Sequence, residues 1–179
     1  SLRKNINNWQ IDYGFSNRFE KLSSDAYNKD DSGDISFATS RYPDNGSEVL
    51  NFSTFILSEY RWNNKLKWFN AVRGDFEKIE AHFSENNPFE LNESLLLENW
   101  NIAASSNLFY SILENNFISF SIYNSFRNPN IDDLGKVFSK VDGIVVIPNP
   151  DLNSEKIISS ELMFQHLGKN NKLVDHFYS

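Results

Sequence analysis

Aromatic and basic side chains are concentrated between Tyr60 and Arg73, a stretch without an acidic residue in a chain of net charge −7. Asn63-Asn64 favours a tight hairpin turn, because Asn tolerates the left-handed backbone region better than most residues. A two-residue turn would pair Tyr60 with Lys67, and paired side chains share one face of a sheet. The resulting binding face comprises Tyr60, Trp62, Lys65, Lys67, Phe69 and Arg73.

Alternating rings and cations suit the stacking of bases and the neutralisation of phosphates, so this face predicts a single-stranded nucleic-acid or polyanion binder. An anionic protein partner is an equal match, with the rings as anchors. The structural alternative is an aromatic ladder covered by lysine stems. A turn one residue longer would exchange the two faces and separate the rings from the cations.

A polar loop from Asn28 to Ile35 resembles the first part of an EF-hand calcium loop. The oxygen-bearing side chains at alternate positions are Asn28, Asp30, Ser32 and Asp34. The resemblance ends at Thr39, where the bidentate Glu of that loop belongs. We therefore expect an acidic surface turn and no bound metal or cofactor, with these four residues as a secondary metal candidate.

Residue patterns that mark common enzymes are missing. The chain has no Cys, and its 3 His do not stand at ligand spacing. It also lacks a glycine-rich phosphate loop and the G-x-S-x-G motif. Arg73-Gly74-Asp75 is expected to be a hairpin turn. An enzyme with a dispersed site stays open, but the expectation is a protein without catalytic activity.

Hydrophobic spacing predicts an α+β fold in a single domain covering residues 1–179. Leu2, Ile6, Trp9 and Tyr13 fit a helix within residues 1–27. Period-two alternation predicts an antiparallel meander over residues 34–83, followed by further antiparallel strands. These include a hairpin around Asn115-Asn116, with Ile118, Phe120 and Ile122 expected to point inward. The C-terminal part is predicted as helix 130–141, a strand at 143–147 and helix 154–167.

The acidic balance and the missing catalytic patterns favour a non-catalytic binding or inhibitor protein, such as an immunity-type protein that neutralises a basic toxin or nuclease. The expected partner is another protein, basic in character, with nucleic acid less favoured and no membrane. The candidate acidic contact residues are Asp30, Asp31, Asp34, Glu77 and Glu80. The absence of Cys favours a cytoplasmic location, and the composition favours a bacterial source with a low-GC genome.

Overall fold

The computed structural model describes residues 1–38, 40, 42–84, 94–135, 138–141, 144–146, 148–168 and 176–177. Nearly all regular structure in these ranges is antiparallel strand. The one helix among them, α1 (Ile131–Gly135), has 5 residues.

Eight strands form the main sheet in the order β1-β2-β5-β6-β7-β8-β11-β12. Their bounds are β1 Leu2–Ile6, β2 Trp9–Leu22, β5 Ser47–Arg61, β6 Leu66–His82, β7 Ser94–Leu113, β8 Asn116–Arg127, β11 Glu155–His166 and β12 His176–Phe177. Two small sheets pair β3 (Tyr27–Lys29) with β4 (Ile35–Phe37), and β9 (Phe138–Val141) with β10 (Ile144–Val146).

The predicted N-terminal helix is wrong. Residues 2–22 form the hairpin of β1 and β2, and β2 pairs with β5 along its full length, from Trp9 opposite Tyr60 to Leu22 opposite Ser47. The same segment also alternates with period two, and a 14-residue strand satisfies all its ladder hydrogen bonds only beside a partner of equal length. Long-range pairing with β5 therefore overrides the local helical spacing.

The predicted C-terminal helices are also wrong, so the fold is mainly antiparallel β rather than α+β. Residues 154–167 contain β11, which pairs with β8 from Glu155 opposite Arg127 to His166 opposite Asn116. The helix expected over 130–141 is reduced to α1, and residues 138–141 form β9. Asn130 does cap α1 as predicted, since its side-chain oxygen accepts a hydrogen bond from the Asp133 amide at 3.0 Å.

The meander prediction is partly right. β5 and β6 form the expected hairpin, but β4 belongs to a separate small sheet. The turn predicted at residues 73–75 is wrong, because Gly74 lies inside β6 between Thr54 and Ile102. The turn after Pro43 is confirmed: the Gly46 amide donates to the Pro43 carbonyl at 3.3 Å, and Gly46 has φ of 92°.

The buried hydrophobic cluster is small for a chain of this length. It consists of Val49, Ile79, Ala81, Phe83, Leu95 and Leu97, with Ile131 packed against it. Elsewhere the sheet leaves large apolar side chains exposed. In β8, Ile118, Phe120 and Ile122 were expected to point inward, but Phe120 is 50% exposed and the neighbouring Ser119 is buried. The side of this strand that was expected to be buried is therefore exposed, and Ser119, on the side expected to be exposed, is buried.

Candidate functional surface

The β5–β6 turn decides which side chains share a face. The Asn63 side-chain oxygen accepts hydrogen bonds from the amides of Lys65 at 2.8 Å and Leu66 at 2.9 Å. The loop is therefore longer than two residues, and the register places Tyr60 opposite Trp68. The predicted pairing of Tyr60 with Lys67 is wrong by one position.

This register separates the residues of the predicted binding face. Tyr60 and Trp62 lie with Trp68, whereas Lys67, Phe69 and Arg73 point to the opposite side of the sheet. The cations there have acidic neighbours: Lys67 lies 3.8 Å from Glu59. Whether these residues bind a ligand stays a prediction, but they do not form one alternating surface.

Four rings gather at the end of the sheet near the short β1–β2 and β5–β6 turns. We call Trp9, Tyr60, Trp62 and Trp68 the turn-end aromatic cluster. Trp9 and Tyr60 have centroids 4.7 Å apart, Tyr60 and Trp62 5.0 Å, and Trp62 stacks on Trp68 at 5.9 Å. The Trp68 indole donates a hydrogen bond to Ser106 Oγ at 2.8 Å, which fixes its ring against β7. Trp9 and Trp68 were not among the predicted site residues.

A second set of rings lies on the same face toward the longer connections. We call Phe15, Phe52, Phe76 and Trp100 the loop-end aromatic row. Phe15 and Phe52 stack at 6.3 Å, and Phe76 lies 4.4 Å from Trp100, whose side chain is 75% exposed. Charged side chains follow beyond this row in two ion pairs, Lys21 with Glu48 and Lys78 with Glu80.

The face between these two groups of rings, which we call the apolar face, is nearly free of charge. Its side chains follow from the strand registers and are Leu2, Lys4, Ile6, Ile11, Tyr13, Thr54, Ile56, Ser58, Asn70, Val72, Gly74, Ile102, Ala104, Ser106, Leu108, Phe120, Ile122, Asn124, Ile158, Ser160 and Leu162. Lys4, on the edge strand β1, is the one charged residue among them. Ile56 is 57% exposed, Ile102 68% and Ile158 81%.

The opposite face, which we call the polar face, carries a buried hydrogen-bond network at its centre. Asp75 is its hub: it accepts from Ser53 Oγ at 2.7 Å, from Asn51 Nδ2 at 2.9 Å and from Arg73 at 2.7 Å. Burial alone would raise the pKa of Asp75. The hydrogen bonds from Ser53, Arg73 and Asn51 outweigh burial and lower that pKa below its usual value.

Glu77 is the next residue on this face of β6, and its pKa is shifted in the opposite direction to that of Asp75. Burial raises its pKa, and the negative charge of Asp75 adds to this effect. A hydrogen bond from Asn128 and the charge of Arg18 act against them. The closest Arg18 nitrogen is 3.7 Å from the Glu77 carboxylate, so this ion pair is loose.

The segment after β8 is tied down over this network. Asn128 accepts hydrogen bonds from Asn101 at 2.7 Å and from Ser154 at 2.8 Å through one side-chain oxygen. Ser154 precedes β11, so the two ends of the β8–β11 connection are fastened to β7 at one place. Sequence reasoning missed this site. The pattern that could have predicted it is the presence of polar residues at alternate positions of three neighbouring strands. These residues are Asn51 and Ser53 on β5, Asp75 and Glu77 on β6, and Asn99 and Asn101 on β7.

The predicted acidic contact residues lie on separate surfaces. Asp30, Asp31 and Asp34 belong to the exposed β3–β4 turn. Glu77 is buried on the polar face, whereas Glu80 lies on the other side of β6, paired with Lys78.

The loop that resembles a calcium site is closed by its own hydrogen bonds. Ser32 Oγ donates to Asp30 at 2.7 Å and to Asp34 at 3.3 Å. Within the described residues no group of three or more His, Cys, Asp or Glu side chains is arranged to hold a metal ion.

No known protein family matches the chain, and no curated protein is significantly similar to it in sequence. Among the described residues, no helix has the length and apolar character needed to span a bilayer.

Proposed function

We propose that this chain is an integral membrane protein whose long strands cross a lipid bilayer, with the apolar face against hydrocarbon and the polar face turned away from lipid. The observation that carries the proposal is the division of charge between the two faces. On β2, β5, β6, β7 and β8, the face between the two aromatic groups has no charged side chain, and on β11 Lys156 lies at its loop end, opposite Phe126. The opposite face of the same strands carries Asp12, Arg18, Glu59, Lys67, Arg73, Asp75, Glu77 and Glu161.

The dimensions of the apolar face support this placement. Trp68 and Phe76 bound it on β6, about 27 Å apart along an extended antiparallel strand at ~3.4 Å per residue. A tilted strand of roughly 9–11 residues crosses the hydrocarbon core of a bilayer. Rings at both ends of such a stretch match the enrichment of Trp and Tyr at the two membrane–water interfaces.

A protein partner on this face is less well supported. Protein interfaces have aromatic anchors near the centre and polar residues at the rim. On the apolar face the arrangement is inverted, because rings such as Trp68 and Trp100 lie at the two ends and residues such as Ala104 and Val72 lie between them. Apart from Tyr13 and Asn124, the centre is small and aliphatic, which matches lipid contact better.

The earlier expectations stay predictions with less support. A cytoplasmic inhibitor of a basic protein would need its acidic residues on one surface, and Asp31, Glu77 and Glu80 lie apart. Nucleic-acid binding by Tyr60 and Lys67 would need them on one face, where the register does not put them.

The absence of native Cys allows a clean test with single spin labels. Ile122→Cys and Tyr123→Cys introduce labels at adjacent positions of β8, both exposed, on opposite faces. In phosphatidylcholine vesicles, we expect the label at 122 to be relaxed by oxygen and protected from a nickel chelate, and the label at 123 to show the reverse. Equal nickel access at both positions, or failure of the protein to float with the vesicles, would contradict the proposal.

A further inference from the structure

A cavity of about 1200 Å³ lies on the polar face above β5 and β6, between β2 and the segment 125–132. Its floor has two parts. Asn51, Asp75 and Glu77 line the polar end, whereas Val49, Ile79 and Ser47 line the other end. A ligand in this space would contact carboxylates at one end and apolar side chains at the other.

The charge of Glu77 is poorly compensated within the protein. Asp75 has a close partner in Arg73 at 2.7 Å, but within the described part of the chain the nearest cation to Glu77 is Arg18 at 3.7 Å. The Arg18 side chain is 59% exposed and is shared with Glu20 at 3.5 Å. Asn51 at 3.4 Å and Asn128 donate hydrogen bonds to the Glu77 carboxylate, but both are neutral. A buried carboxylate without a close cation is costly, so Glu77 has capacity for a second cation.

An independent feature lies at the opposite end of the cavity. Among the residues that the structure describes, none is a hydrogen-bond partner of the buried Ser47 hydroxyl, and Ser47 is 2% exposed. Buried hydroxyl groups are almost always hydrogen-bonded. The positions of Ser47 and Asn51, which lies opposite Glu77, are about 14 Å apart along β5 at ~3.4 Å per residue.

We propose that this cavity binds an organic ammonium compound, with the ammonium group on Glu77, an apolar body against Leu22 and Ile131, which lie over the buried Val49 and Ile79, and a second polar group on Ser47. The two carboxylates at the polar end disfavour an anionic ligand. The inference is independent of lipid contact, because every residue in it lies on the polar face or in the segments that cover it.

Three related probes test the three parts of the ligand by calorimetric titration of the full chain. Tyramine has an ammonium group, a ring and a phenol; phenethylamine lacks the phenol; tyrosol replaces the ammonium by a neutral hydroxyl. We expect tyrosol to bind at least about 10-fold more weakly than tyramine, since a hydrogen bond to a charged group contributes that much. Tyrosol binding as well as tyramine, or no tyramine binding at millimolar concentration, would overturn the proposal.

Matched variants assign the two ends of the site. Glu77→Gln should weaken tyramine binding at least about 10-fold, whereas Glu20→Gln should leave it within about twofold, because Glu20 is exposed. Ser47→Ala should remove the preference for tyramine over phenethylamine. Equal losses in Glu77→Gln and Glu20→Gln would count against the site.

Removing Arg18 should strengthen ligand binding, a result that partial loss of the folded structure would not produce. Arg18→Ala takes away the cation that competes for Glu77, so tyramine should bind more tightly than to the unmodified protein. Weaker binding in a variant with an unchanged unfolding midpoint would show that Arg18, rather than the ligand, is the natural partner of Glu77. The vesicle experiment on Ile122 and Tyr123 has its own outcome, so failure of either proposal leaves the other testable.

Discussion

Ile56 and Leu57 are neighbours on β5, point to opposite faces of the sheet, and are exposed to a similar extent, 57% and 44%. Ile56 lies between Tyr13 and Val72 on the apolar face. Leu57 lies between Asp12 and Ala71 on the polar face. The pair is therefore a matched probe of the two environments, with the same strand, depth and exposure.

Lysine at these two positions should have very different effects if the apolar face contacts lipid. Ile56→Lys should destabilise the protein in phospholipid vesicles by about 2–4 kcal/mol, the cost of a cation facing lipid near the bilayer midplane. Leu57→Lys should cost less than about 1 kcal/mol, because the polar face is not in contact with lipid. Urea titration of the folded fraction in vesicles measures both, and equal effects would contradict the orientation of the sheet.

Asp75 and Glu77 should give opposite pH dependences of stability. The pKa of Asp75 is lowered in the folded state, so its contribution is present above the unfolded pKa of about 3.9 and is lost as pH falls through the folded value. The pKa of Glu77 is raised, so the folded protein holds this proton longer. Its ionisation reduces stability as pH rises from the unfolded pKa of about 4.3 through the folded value.

Two amide variants separate these contributions. Asp75→Asn should destabilise the protein at pH 7 by about 2 kcal/mol, since it weakens charge-assisted hydrogen bonds from Arg73, Ser53 and Asn51. Glu77→Gln should raise the free energy of unfolding at pH 7 and have less effect at pH 4. Chemical denaturation at the two pH values is the measurement. A Glu77→Gln effect that is the same at both would be inconsistent with the raised pKa.

Two glycines should respond differently to the same substitution. Gly46 has φ of 92°, which L side chains rarely adopt, so Gly46→Ala should cost about 1 kcal/mol. Gly74 lies within β6, and a Cβ there would meet Thr54 Oγ1 at 3.7 Å, an ordinary contact. Gly74→Ala should be neutral or slightly stabilising, because alanine has less backbone entropy to lose. Thermal unfolding of the two variants checks this, and a larger loss at 74 than at 46 would be contrary evidence.

The sequence was informative where a signal is local. The β5–β6 hairpin, the turn after Pro43, the hairpin around Asn115 and the Asn130 cap are confirmed because turn and capping residues act on their immediate backbone. The helix predicted for residues 1–27 was wrong because Leu2, Ile6, Trp9 and Tyr13 satisfy a helical period by coincidence. Leu2 and Ile6 pair with Tyr13 and Trp9 across the β1–β2 hairpin. Trp9 and Tyr13 in turn pair with Tyr60 and Ile56 on β5, more than about 40 residues further along the chain, and local spacing contains no information about that pairing.

The candidate surface depended on a single quantity that the sequence did not determine, the length of the loop after Arg61. One residue more than a two-residue turn transfers Trp68 to the face of Tyr60 and removes Lys67 from it. Charge was the stronger signal. Uncharged even-numbered positions from Leu50 to Tyr60 and from Trp68 to Phe76 alternate with odd-numbered positions that include Glu59, Arg73 and Asp75. That division does not depend on the turn.

From β5 to β8 each strand pairs with the strand that follows it in the chain, and the turns after Arg61 and Leu113 are short. β6 and β8 can therefore each add to a formed strand after closing only a small loop, which is entropically inexpensive, and the connection between β6 and β7, residues 83–93, is of intermediate length. The β2–β5 and β8–β11 pairings close longer connections. We expect the β5–β8 region to be structured in the folding transition state, and the outer strands to join it later.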